Sequence, residues 1–180
     1  MKKDMLQISK SRFMSIEKDL SLIAQKLLQN HNLKKLLFYT TPDALSKPIL
    51  TQEQSRSLVN NNIKITPFVE IDNNMLNYVV IGFDDFTPDE TNPEYRDNLI
   101  YIDIICHKSQ WNLGDFQLRP FKIAGEIDGM LDKTYLTGIG KLQFLSGFIL
   151  PSNDQIGGLT LIYSATHGSE DTQVKEKSNG

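Results

Sequence analysis

The chain has 180 residues, of which 39% are hydrophobic and 23% charged, and its formal net charge is −3. This length and composition are typical of one globular domain, and no apolar run approaches the roughly 20 residues that span a bilayer. Residues 1–5 lead into polar sequence rather than a signal-peptide core, so we expect a soluble chain made in the cytosol, with no membrane partner. The single cysteine, Cys106, excludes an internal disulfide.

Charge is distributed unevenly along the chain. Residues 1–35 carry eight Lys or Arg against three acids, whereas residues 70–104 carry nine acids against Arg96 alone. This division argues against one large nucleic-acid-binding face. It fits subunits that meet head to tail around a ring, and equally two solvated surfaces of opposite sign.

The first part of the chain predicts helices. A first set of apolar residues recurs at spacings of three and four: Phe13, Ile16, Leu20, Ile23 and Leu27. That stripe is typical of a helix that lies on a sheet. We expect this helix to end at residues 30–32. Residues 33–39 fit either more helix or a short strand. Thr51 and Gln54 form a capping box that begins a short helix ending at 60–62.

From residue 63 the apolar pattern changes to a period of two. This predicts strands over 63–71, 78–86 and 99–106. Pro67 lacks a ladder donor and marks the first of them as an edge strand or a bulge. Residues 84–94 between the other two predict an acidic loop with two prolines, too long for a tight hairpin and too polar to be buried.

The strand over 99–106 predicts a surface that needs a cover. One of its faces is wholly apolar, and the other is apolar except for one carboxylate. A sheet that is apolar on both sides is usually covered on both sides, by its own helices or by another subunit. We therefore expect a subunit or partner interface at the second face and the acidic loop: Leu99, Tyr101, Asp103, Ile105, Asp84, Asp85, Asp89 and Glu90.

The C-terminal part predicts one helix and two strands. The helix covers 118–131, with Pro120 in its first turn, and the strands cover 141–150 and 159–166. Consecutive strands with short connections predict an α+β fold: a mainly antiparallel, twisted sheet of about four to five strands, packed by the N-terminal helix and the helix before the last two strands. Residues 1–166 form a single domain whose sheet-containing core is 62–166, and 167–180 form a flexible polar tail.

Catalytic motifs are missing from the sequence. It contains no phosphate loop, dinucleotide glycine pattern or nucleophile elbow, and its three histidines have no zinc-site spacing. Cys106 and His107 are neighbours on a strand, so their side chains point to opposite faces and do not form a dyad. We expect no catalytic residue, no metal and no cofactor.

A small metal-dependent nuclease is the enzymatic alternative, because such enzymes use dispersed acids. Three carboxylate pairs are candidates: Glu70 with Asp72, Asp84 with Asp85, and Glu126 with Asp128. Glu126 and Asp128 lie two residues apart on a helix, so their side chains diverge by about 200° around its axis. Asp84, Asp85 and Glu70 remain, and metal-dependent plasmid nicking that Asp84→Ala abolishes would support this alternative.

Three ordered elements between residues 100 and 167 resemble the tail terminator, or tail completion, proteins of long-tailed, lambda-type bacteriophages. The first is the apolar strand over 100–105 with its aspartate. The second is the helix that begins Arg119-Pro120-Phe121 and runs through 124–127. The third is an aspartate-containing loop that ends at Gly157-Gly158, before the strand over 159–163.

The resemblance implies a structural protein of the virion, assembled in the host cytoplasm. Its copies would form a ring, a hexamer, that caps the tail tube and offers a surface to the head connector, while genomic DNA passes through the lumen without sequence-specific contact. Residues 33–62 depart from the family pattern, which is shorter there, so the ring's place on the tube or in the neck stays open. The alternatives are a head-completion or neck connector protein and a host-interaction module.

Overall fold

A computed structural model describes residues 16–65, 76–88, 96–151 and 153–167, with the backbone alone for 84–88, 96–98 and 166–167. It has four α-helices: α1 (Ile16–Leu27), α2 (His31–Phe38), α3 (Gln52–Ser57) and α4 (Arg119–Leu131). Two short 3-10 helices cover Ala44–Ser46 and Lys108–Gln110. Six strands complete the described part of the chain: β1 (Ile63–Lys64), β2 (Tyr78–Pro88), β3 (Arg96–His107), β4 (Tyr135–Leu136), β5 (Gly140–Leu150) and β6 (Ile156–His167).

The strands form one sheet in the order β1-β2-β3-β6-β5-β4. Only the β1–β2 pair is parallel, and the other neighbours are antiparallel. The α+β class with a mainly antiparallel sheet is therefore confirmed. The described residues form six strands rather than the predicted four to five, because β1 and β4 have two residues each, too few to show a period in the sequence.

The helices α1, α2 and α4 share one hydrophobic core with a single face of the sheet. That face includes Ile100, Ile102, Ile104 and Cys106 of β3, all 0–1% exposed. The helices contribute buried aliphatic residues to the same cluster: Ile23, Leu27, Leu33, Leu36, Leu37, Ile123, Ile127 and Leu131. The two helices that the sequence predicted to pack on the sheet do so, and α2 joins them.

The undecided segment 33–39 is helical. Asn30 caps α2 with its side chain, whose Oδ1 accepts from the backbone N–H of Leu33 at 3.0 Å. The same short turn therefore ends α1 and begins α2. The capping box is also confirmed, because the Gln54 N–H donates to Thr51 Oγ1 and the Thr51 N–H donates to Gln54 Oε1.

The sequence predicted that Asp84 and Asp85 open a loop. This prediction is wrong, because β2 continues to Pro88. The register passes from Phe83 opposite Ile100 to Phe86 opposite Asn98, so the two aspartates are an irregularity of the ladder. A β-bulge accommodates the extra residue of β2. The alternation of side chains between the two faces is interrupted there, so a period of two in the sequence no longer predicts the strand. The structure describes only β1 of the strand predicted over 63–71, and Pro67 and the polar tail after His167 lie outside the described residues.

A buried arginine joins α4 to the end of α2. Arg119 is 0% exposed and donates four hydrogen bonds of 2.6–2.8 Å to the main-chain carbonyl oxygens of Leu36, Tyr39, Thr41 and Gln110. One of these oxygens belongs to Leu36 in the last turn of α2, where carbonyl groups lack donors within the helix and a positive charge is favourable. Arg119 therefore fixes the start of α4 relative to α2.

Gly158 allows β6 to approach β3 closely. A Cβ atom at this position would overlap with the carbonyl oxygen of Ile104. Gly158→Ala is therefore expected to lower the free energy of unfolding by about 2–3 kcal/mol, because backbone rather than a movable side chain is in the way. Urea unfolding followed by circular dichroism measures the change.

Gly125→Ala is the matched control for this substitution. A Cβ atom at Gly125, inside α4, would meet nothing within 4 Å. Alanine there is expected to raise the free energy of unfolding by about 0.5–1 kcal/mol, since glycine is a poor helix former. Equal effects of the two substitutions would contradict the close approach of β6 to β3.

Candidate subunit interface

The second face of the sheet has no helix over it in the described part of the chain. Leu99, Tyr101, Asp103 and Ile105 of β3 lie on this face and are half-buried. Ile162 and Ser164 of β6 lie beside them and are also half-buried. Within the described ranges the helices cover one side of the sheet, and we call the other side the open face.

The open face is buried at Tyr78 and Val80 of β2 and at Thr160 of β6, half-buried at Asp103 of β3, and exposed at β5. Tyr78 and Val80 of β2 are 6% and 2% exposed, and the Lys64 ammonium lies 4.9 Å from the centre of the Tyr78 ring. Across the sheet, Val80 pairs with Asp103, which pairs with Thr160, which pairs with Phe148 of β5. Phe148 is 50% exposed.

Tyr101 and Gly82 fit together on this face. They are directly opposite each other on β3 and β2, and a Cβ atom at Gly82 would overlap with the Tyr101 ring. An aromatic ring that lies over a cross-strand glycine fills the gap left by the missing side chain. Tyr101 therefore extends the apolar surface of β3 towards β2 instead of standing free in solvent.

Asp103 is the one carboxylate among the four predicted β3 residues. Thr160 Oγ1 donates to its Oδ1 at 2.5 Å. Burial raises the pKa of the Asp103 carboxyl, and the hydrogen bond from Thr160 opposes that rise. A carboxyl whose pKa is higher in the folded than in the unfolded chain binds more protons when folded, so the free energy of unfolding falls as the pH rises through this range.

Asp103→Asn is expected to remove this part of the pH dependence above about pH 4, the ordinary aspartate pKa. The amide keeps an oxygen that can accept from Thr160, so the comparison isolates the charge. Urea unfolding of the parent and the variant at a series of pH values measures it. A parent whose stability relative to the variant rises with pH would contradict the burial effect.

Asp132 provides a control of opposite sign. The Phe144 N–H donates to Asp132 Oδ1 at 3.0 Å, and this bond lowers the pKa of the carboxyl. A carboxyl with a lowered pKa stabilises the fold above its unfolded pKa, and this stabilisation is lost as the pH falls. Asp132→Asn should therefore remove a slope in the other direction.

Strand β5 is apolar and exposed. Phe144, Leu145, Phe148 and Ile149 are 40%, 49%, 50% and 67% exposed. The register of β5 against β6 shifts by one residue between Phe144 and Ser146. This shift places both Phe144 and Ile149 on the helix side, opposite Tyr163 and Leu159, whereas Phe148 lies on the open face. Large apolar side chains on both faces of one strand are unusual for a surface in contact with water.

The outer side of β5 is only partly covered. Leu142 exchanges hydrogen bonds with Lys133 and Thr134, and Asp132 accepts from Phe144, so residues 132–136 line β5 as far as Phe144. From Leu145 to Leu150, no strand among the described residues pairs with this side. We call this stretch the β5 edge.

The β5 edge lacks the usual protection of an edge strand. Soluble proteins block such edges with charges or prolines, or cover them, since unpaired N–H and C=O groups accept another strand. Leu142 to Leu150 contain no charged residue and no proline. Among the described residues, the β5 edge together with the open face is therefore the candidate surface for a protein partner.

The comparison with known protein families matches the part of the chain that contains the β5 edge and the open face. The family model named YomW matches residues 30–165. The chain belongs to the YomW family. Its fold is similar to that of a chain in a solved structure described as the virion of a native gene transfer agent (GTA) particle, with a TM-score of 0.51, 14% identity, and 83% of this chain and 94% of that chain covered. A search of the curated proteins found no match.

The range that the YomW model matches contains every element of the candidate interface. It begins at the Asn30 cap of α2 and ends in β6, so it includes β5, the open face and the Arg119 contacts. Helix α1 and the residues before it precede the match.

The predicted interface residues are only partly brought together. The four β3 residues share the open face, while Asp84 and Asp85 lie at the bulge of β2. Asp89 and Glu90 lie outside the described residues, as do Glu70 and Asp72 of the nuclease alternative. Sequence reasoning missed the β5 edge, although the uncharged run from Leu142 to Leu150 was a signal for it.

The other residues considered for catalysis or metal binding have structural roles. Glu126 accepts from the Asn30 and Asn32 side chains at 2.7 and 3.1 Å, whereas Asp128 accepts from the buried Tyr163 hydroxyl at 2.9 Å. Burial raises the pKa of the Cys106 thiol to about 12, so it stays protonated near neutral pH. In the described ranges there is no cluster of three or more His, Cys, Asp or Glu that could hold a metal ion, and no helix long and apolar enough to cross a membrane.

Proposed function

We propose that this chain is a structural protein of a phage-type virion that forms a ring at the head–tail junction. The ring, a hexamer, terminates the tail tube and joins it to the head connector, and genomic DNA passes through its lumen without sequence-specific contact. Assembly takes place in the host cytoplasm. The protein acts through its contacts with neighbouring subunits and partner proteins, so no residue has a catalytic role.

The observation that carries the proposal is the surface formed by the open face and the β5 edge. An isolated subunit with four aromatic or aliphatic side chains 40–67% exposed on one unprotected strand would tend to aggregate. Copies of the same chain can cover this surface if each meets the next through two different patches, and such head-to-tail contacts close into rings.

Two comparisons support a virion role. The chain belongs to the YomW family, and a chain of similar fold occurs in a structure described as the virion of a gene transfer agent particle. The position at the end of the tail tube is proposed on the resemblance of residues 100–167 to tail terminators.

Size-exclusion chromatography with light scattering, followed by electron microscopy of negatively stained protein, tests the ring. We expect a closed oligomer, with rings at the ends of purified tail tubes. A protein that remains monomeric at high concentration and leaves tail tubes uncapped would overturn the proposal. Binding to portal complexes but not to tubes would instead indicate a neck connector.

A further inference from the structure

We infer that the β5 edge binds an extended strand from residues 1–15 of a neighbouring copy, so that the subunits of the ring exchange their N-terminal segments. This inference rests on the proposed ring and names the contact that closes it. It follows from the shape of the site, from the segments of this chain that can fill it, and from the position at which the N-terminal segment joins the fold.

The site requires a strand that is apolar on both faces. The backbone groups on the outer side of Leu145–Leu150 can be satisfied by the N–H and C=O groups of an added strand. Ile149 on the helix side and Phe148 on the open face then need apolar neighbours on opposite faces of that strand. A polar or highly charged segment does not meet this requirement.

Residues 1–15 meet this requirement better than residues 66–75 or 168–180. Met5, Leu6 and Ile8 put apolar side chains on both faces of an extended strand, with charged residues before and after them. Residues 168–180 contain a single large apolar residue, Val174. Residues 66–75 contain Pro67 and connect β1 to β2, which lie about 19 and 14 Å from β5 across the sheet.

The N-terminal segment joins the fold beside β5. A Cβ atom at Gly138, in the turn between β4 and β5, would lie 3.5 Å from Asp19 Oδ1 in the first turns of α1. Residues 1–15 lead into α1, whose Asp19 lies next to the start of β5, and the residues before the predicted helical stripe, 1–12, span at most about 40 Å when extended.

The free part of β5 is the half farther from this entry point. Residues 132–136 occupy the near half, so the segment of the same copy would have to run about 17 Å along them before its first pairing position. A neighbouring copy can place the start of its own α1 directly at the free half. Exchange of one segment per copy is also a contact between two different surfaces, which a ring repeats at every interface.

Site-specific cross-linking with isotope mixing tests the exchange. Phe148 is replaced by the photoreactive p-benzoylphenylalanine, and ¹⁵N-labelled and unlabelled full-length chains are mixed as unfolded monomers and assembled together. After irradiation, we expect peptides that join position 148 to residues 1–12, half of them with one labelled and one unlabelled partner. The same replacement at Phe121, exposed on α4, should not cross-link to this segment.

The outcomes separate this inference from the proposed function. Cross-links to residues 1–12 that join only chains of the same isotope would mean that the segment covers its own β5, and cross-links elsewhere would mean another occupant. Either result, with rings that still cap tail tubes, overturns the exchange and leaves the ring intact. A monomer that does not bind tubes overturns both.

A matched pair of substitutions gives a second readout. Leu6→Asp puts a charge within the proposed pairing residues and should weaken ring assembly at least 30-fold, measured by mass photometry over a dilution series. Ser11→Asp adds the same charge outside them and should change assembly less than threefold. Equal effects would count against pairing through Met5–Ile8.

Discussion

Replacement of Arg119 by methionine is expected to lower the free energy of unfolding by about 3–5 kcal/mol. Methionine fills a similar volume but removes the guanidinium donor from the carbonyl oxygens of Leu36, Tyr39, Thr41 and Gln110. The Leu36 oxygen keeps only a long bond of 3.5 Å from Asn77 Nδ2, and the Thr41 oxygen keeps the Ala44 N–H at 3.2 Å. A buried acceptor that loses its partner costs about 1–3 kcal/mol, and the favourable charge at the end of α2 is lost as well. Since a domain is stable by only about 5–15 kcal/mol, the variant should be close to unfolding at 37 °C.

The effect depends on the shape of the guanidinium as well as on its charge. Arg119→Lys keeps a positive charge but cannot reach four carbonyl oxygens in different directions, so we expect it to recover less than half of the loss. Lys122→Met, one turn further along α4 and exposed, is the control and should change stability by less than about 0.5 kcal/mol. A loss below about 1 kcal/mol for Arg119→Met, measured by urea unfolding, would contradict this role of Arg119.

Ile149→Lys is expected to dissociate the proposed ring while leaving the subunit folded. Ile149 is 67% exposed in the single chain, so lysine there should change the free energy of unfolding by less than about 0.5 kcal/mol. In an interface that covers the β5 edge, the same ammonium group would lose its water without gaining a partner. That costs about 2–5 kcal/mol, which corresponds to an increase in the subunit dissociation constant of roughly 30- to 5,000-fold.

Ile49→Lys is the matched control for this prediction. Ile49 is also an exposed isoleucine, at 60%, but in the chain it lies between the 3-10 helix at Ala44–Ser46 and α3 rather than on β5. Light scattering over a concentration series should show an oligomer for the parent and Ile49→Lys and a monomer for Ile149→Lys. An intact oligomer for both variants would place the subunit contact elsewhere.

The two experiments test different properties of the chain. Arg119 holds α2 and α4 together inside one subunit, so its loss should appear in unfolding before any assembly is measured. Ile149 contributes little to the isolated fold, so its effect should appear only in assembly. A variant set that separates the two readouts would show that the fold and the interface depend on different residues.

The sequence by itself determined the fold class and most of the elements. The three- and four-residue spacing ending at Leu27, the capping box at Thr51 and the period-two pattern of β3 are local signals, set by the geometry of a helix or a strand. They depend only on near neighbours in the chain, so α1, α3 and β3 could be predicted from the residues alone. The same period gave the apolar face of β3 that the helices cover.

Only the tertiary structure decided which surfaces remain uncovered. Whether β5 is an edge depends on the strand order, a property of pairings between residues far apart in sequence that no local period encodes. The role of Arg119 depends in the same way on the start of α4 meeting the end of α2, because its four acceptors are main-chain oxygens that any residue could supply. Local patterns thus determine the elements, whereas burial and exposure are set by long-range packing.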